Sequence, residues 1–99
     1  MSEAGPAPAL VEIVPLSKPL RDARGVEVMQ LTLRRPTVRD LRQCGTPIVY
    51  LPGGYRIDDS AMANLISVCA GVPLPQVDEM ELADFRAAGA VMLGFLGGI

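Results

Sequence analysis

Ninety-nine residues make one small domain with one modest core, because a chain of this size buries only about 60–65% of its unfolded surface. Hydrophobic residues at 49% against 20% charged exclude a disordered chain, and aromatics at 4% require a core of aliphatic side chains and Met. A net charge of −2 without any His gives phosphate no basic surface and removes the commonest general base and metal ligand.

Residues 1–9 are small and Pro-rich and read as a flexible N-terminal tail. They lack the basic start and apolar run of a secretory signal, and no stretch approaches the roughly 20 apolar residues of a membrane span. A single α+β domain is expected over 10–97: a β-hairpin at 10–35, then a helical part at 37–97 with three or four short α-helices. Residues 10–16 alternate through Val11, Glu12 and Ile13 as a strand, which Pro15 ends or confines to an edge. Residues 17–25, with Pro19 and Gly25, read as a turn. Residues 26–33 alternate again, with Met29, Leu31 and Leu33 on the more apolar face of a half-buried strand.

Pro36 stops that strand. Thr37 can then cap a helix over 38–43, where the Asp40 carboxylate favours the positive helix end. Residues 45–56 hold Pro47, Pro52, Gly53 and Gly54 around Ile48-Val49-Tyr50-Leu51, and read as a loop with a short extended piece. Asp58-Asp59-Ser60 can cap a second helix on which Met62, Leu65, Ile66 and Cys69 share one face, with Gly71 as its stop. Pro75 suits the start of a helical turn over 76–80. A last helix over 81–96 carries Leu82, Phe85, Met92, Leu93 and Leu96 on one stripe, thinned by Ala88 and Gly89.

Chemistry-bearing patterns are scarce. Cys44 and Cys69 read as two reduced thiols, and no third Cys or His accompanies them to hold a metal. Asp78, Glu79, Glu81 and Asp84 read as favourable charge at a helix N-terminus. No Ser has a His partner. A non-enzyme without cofactors, in a reducing compartment, is expected. Charge is uneven: residues 1–50 hold seven basic and five acidic groups, and residues 51–99 hold two and six. The basic stretch Arg34, Arg35, Arg39 and Arg42 lacks stacking aromatics. It suits an acidic protein partner, or salt links to the acidic second half, better than nucleic acid. The helices offer Leu65, Ile66, Leu82, Phe85, Met92 and Leu96 either as core or as a seam that self-associates or receives a partner helix.

The order of segments points further. Val14-Pro15-Leu16-Ser17-Lys18-Pro19-Leu20, Gly25-Val26, the junction Leu31-Thr32-Leu33-Arg34-Arg35-Pro36-Thr37-Val38-Arg39-Asp40-Leu41, Ala70-Gly71-Val72-Pro73, and the helix from Leu82-Ala83-Asp84-Phe85 to Gly94-Phe95-Leu96 together resemble the small tail assembly chaperones of Mu-like and related long-tailed phages. The resemblance implies a non-catalytic protein that binds the tape-measure protein in the host cytoplasm. There it keeps its client soluble while tail-tube subunits polymerise, and it is left out of the mature virion. The tail-tube protein and a second copy of the chain are further partners it implies, with neither nucleic acid nor membrane. The competing readings are a minor structural tail component and a small cytoplasmic adaptor or nucleic-acid-binding regulator.

Overall fold

The computed structural model describes residues 11–97; the tail expected over 1–9 lies outside the described residues. β1 (Val11–Arg21) and β2 (Glu27–Arg34) form an antiparallel hairpin, followed by α1 (Val38–Cys44). β3 (Ile48–Leu51) and β4 (Gly54–Ile57) form a second antiparallel hairpin, and α2 (Asp59–Ala70), α3 (Leu74–Asp78) and α4 (Leu82–Phe95) complete the fold. This is the expected α+β order of an N-terminal hairpin and then helices, four of them, with the second hairpin in place of the expected loop.

β1 continues well beyond residue 16. The turn is therefore tighter than expected: Asp22 N–H donates to the Val26 carbonyl, and the Asp22 carboxylate accepts from the N–H groups of Arg24 and Val26, each at 2.9 Å. Neither Pro15 nor Pro19 ends the strand. In a two-stranded sheet every strand keeps one unpaired edge, where a missing N–H costs nothing. Pairing runs from Val11↔Arg34 to Pro15↔Gln30 and resumes at Leu20↔Val28, so Leu16–Pro19 bulge opposite Met29 alone. A bulge of an odd number of extra residues flips the facing of the shorter strand. Leu31 and Leu33 are buried as expected. Beyond the bulge it is Val28 that packs on the core, and Met29 is turned out to 56% exposure.

The bulge also decides where the helices sit. The Asp84 carboxylate, on α4, accepts from both the N–H and the hydroxyl of Ser17 at 2.9 Å. Lys18 Nζ reaches the Glu79 carbonyl at the end of α3, and Arg21 N–H donates to the Gln76 side chain at 2.9 Å. The exposed edge of β1 is thus covered by side chains of α3 and α4, which answers the liability of open strand edges. Asp84 is buried at 8% exposure and serves as a cross-link between elements, beyond the helix-end charge its sequence position suggests.

One apolar cluster forms beneath the hairpin. Val14, Leu16, Leu20, Leu31 and Leu33 meet Met62, Leu65, Ile66 and Cys69 of α2, with Val72, Val77, Ala88 and Met92 closing the remaining sides. α2 follows its expected spacing. Asp58 caps it by accepting from Ala61 N–H at 3.1 Å, and Gly71 ends it in the left-handed region at φ 69°. α4 keeps its expected stripe on the core except at one end: Ala88, Gly89 and Met92 are buried together with Asp84, and Phe85, Leu93 and Leu96 pack half-buried against the core, whereas Leu82 is 62% exposed.

Two stability outcomes follow from these contacts. Asp84→Ala leaves a partly buried Ser17 N–H without its acceptor, and should cost about 1–3 kcal/mol in urea denaturation. Gly71→Ala places a Cβ in the left-handed region and should cost about 1–2 kcal/mol. A loss for Asp84→Ala indistinguishable from zero would remove the cross-link from the account.

Candidate functional site

The basic stretch resolves into distinct roles. Arg34, at the end of β2, donates to both Asp40 oxygens at 2.7 and 3.2 Å. Asp40 also accepts from Thr37 N–H at 2.8 Å while Thr37 Oγ1 accepts from Asp40 N–H, which completes a capping box at the start of α1. Arg34 thereby locks the strand-to-helix corner, and its partner lies in the first half of the chain, not in the acidic second half. Arg35 is half-buried, whereas Arg39 and Arg42 are exposed on α1. The Arg34 guanidinium and the Thr37 amide hold the Asp40 carboxyl well below its usual range, and the carboxylate in turn raises the Arg34 pKa.

Nucleophiles are muted. Cys44 and Cys69 are free thiols, half-buried and buried respectively; burial raises both, and pushes Cys69 to about 11. Among the described residues no group of three or more His, Cys, Asp or Glu is placed to hold a metal ion. Nor is any helix among them long and apolar enough to cross a membrane.

The concave feature lies where α4 meets α2. Beside the most deeply buried residues of α4, Leu82, Phe85, Gly89 and Leu93 follow one another at helical spacing: Leu82 exposed, Phe85 and Leu93 half-buried against the core, Gly89 buried. With Met62 of α2 and Ile57 of β4 they line a groove of about 230 Å³, bordered by Asp59 and Arg86. A second cavity of about 340 Å³ adjoins it, sharing Asp59, Leu82 and Phe85 and adding Val77, Asp78 and Met80. Gly89 thins the wall here: a Cβ at this position would meet only Met62, at 3.7–3.9 Å.

The residues expected to form the seam therefore divide. Leu65, Ile66 and Met92 are each 0% exposed and belong to the core of the monomer, so they line no surface. Leu96 is half-buried against that core, away from the groove lining. Leu82 and Phe85 do come together on the groove, joined by Gly89 and Leu93 of the expected stripe and by Ile57, which lies outside it. The i, i+3, i+7, i+11 pattern from Leu82 to Leu93 lines the groove. It was masked by Met92 and Leu96, which follow the inner face.

The β3–β4 hairpin adds a second apolar surface. Tyr50 and Tyr55 pair across it, at 73% and 46% exposure, on the same face as the Ile48–Ile57 pair. Pro52-Gly53 supplies the two-residue turn, a signal present in the sequence beside β-branched and aromatic residues.

A family model described as phage tail assembly chaperone proteins, E, or 41 or 14, matches residues 14–97. The chain belongs to this family, and it serves tail assembly in the infected host cell. Comparison with curated proteins and with solved structures returns no match.

The Asp40 corner has a pH signature. Its folded pKa lies below the ordinary 3.8, so its contribution to stability is complete above that value and is lost as pH falls from there through the lowered native pKa. Urea midpoints measured downward from about pH 5 should therefore fall less steeply in Asp40→Asn than in the native chain. Parallel curves would show that the ion pair contributes nothing.

Proposed function

We propose that this chain binds the tape-measure protein, keeps that long helical client soluble, and helps tail-tube subunits polymerise around it, by protein–protein contact alone. The observation that carries this reading is the groove between α4 and α2, where Leu82 stands exposed and Phe85 and Leu93 are only half covered by the monomer's own core. A groove walled by two helices suits the apolar stripe of a third, the helix-in-groove mode of recognition. Thiols whose pKa burial raises and a sequence without His fit a holding role better than a chemical one. The exposed Arg39 and Arg42 on α1 offer contacts to an acidic partner such as a tail-tube subunit. On this reading the protein acts in the host cytoplasm and leaves before the virion is complete.

Co-expression tests it. The native chain should move the tape-measure protein of the same phage into the soluble fraction. Leu82→Asp, at an exposed position, should weaken capture about tenfold, which is about 1.4 kcal/mol, without lowering the melting temperature. A client equally insoluble with and without the native chain would refute the proposal.

A further inference from the structure

We infer that the groove takes a basic amphipathic helix, one that lays its apolar stripe over Leu82, Phe85 and Gly89 and sets Lys or Arg side chains against Asp59 and Asp78. The inference rests on the proposed holding role and names the kind of client segment that role would engage.

Shape argues for a helix. Exposed Leu82 and half-buried Phe85 and Leu93 of α4 stand around a groove whose floor is Gly89 and Met62. A ridge of side chains from a crossing helix fits between such projections.

Charge argues for its composition. Asp59 borders both cavities and Asp78 borders the second, whose lining contains neither Lys nor Arg. Neither carboxylate is salt-bridged among the described residues. Arg86 borders the first cavity together with Asp59, and the second holds Asp59 and Asp78 with no cation beside them. An occupant that seats apolar side chains on the shared Leu82–Phe85 wall brings its flanking groups beside Asp59 and Asp78. Cations there are favoured and carboxylates are repelled. A second copy of this chain is the poorer fit, since the exposed charges around its own α4 and α3 are mostly acidic: Asp78, Glu79 and Glu81 against Arg86.

A benzophenone side chain in place of Leu82, irradiated in the complex with tape-measure protein, identifies the occupant by mass spectrometry. The cross-linked segment should be helix-forming, with Lys or Arg flanking an apolar stripe. In parallel, Asp59→Asn/Asp78→Asn should bind that protein about tenfold more weakly at low salt and equally at high salt, as expected for partly exposed ion pairs. Cross-linking to a net-acidic segment or to a second copy of the chain overturns the inference. So does a folded double variant that binds equally at every salt concentration. In those cases the holding role stands, provided Leu82→Asp still releases the client. A native chain that captures no tape-measure protein overturns both. Should the double variant fail to fold, the identity of the cross-linked segment decides alone.

Discussion

Asp84 reaches from the first turn of α4 to the amide and hydroxyl of Ser17, and the facing of α4 follows from that contact. A helix of fourteen residues with apolar side chains on two sides could turn either side inward. A carboxylate buried at 8% exposure must stay hydrogen-bonded, because losing its partners costs more than any single apolar contact returns. Its donors sit on the bulge of β1, where pairing with β2 is interrupted. With Asp84 inward, Ala88 and Met92 enter the core one and two turns later, Phe85 and Leu93 are left half-covered at its edge, and Leu82 is left exposed. The groove is the consequence of a polar contact on the opposite side of the helix.

The same logic fixes the other corner. Arg34 and Asp40 join the end of β2 to the start of α1, so the chain leaves the hairpin in one direction. The pair lies at the surface edge, half-open on the Arg side, and its weight is in geometry as much as in energy. Between these two polar joints the hairpin acts as a platform. α2 lies across it as the central helix, in contact with β2, α1, α3 and α4.

Most of the fold was legible in the sequence because its elements carry their own punctuation. Thr37 with Asp40, Asp58 and Gly71 mark helix ends through local hydrogen bonds and a left-handed backbone, and each does so in the structure. What was hidden depends on pairing across distance. The bulge at Leu16–Pro19 reverses the facing of Val28 and Met29, which strict alternation cannot reveal. The second hairpin lay behind Pro52, Gly53 and Gly54, residues equally at home in a loop. Leu65, Ile66 and Met92 have the composition of an interface, but only the packing shows that this chain uses them for itself. The groove lining needed one fact the sequence withholds, namely that Asp84 points inward.

Membership of the tail assembly chaperone family and the half-open groove between α4 and α2 are compatible with the proposed holding role. Such a role needs an apolar surface that the protein's own core does not consume, and the candidate for it is the groove edge at Leu82 and Phe85. The most direct test is amide hydrogen exchange of the chain with and without tape-measure protein. The account predicts new protection along α4 from Leu82 to Leu93 and near Ile57, with the outer face of the β1–β2 hairpin unchanged. Protection confined to that hairpin face, with α4 exchanging as in the free protein, would contradict it.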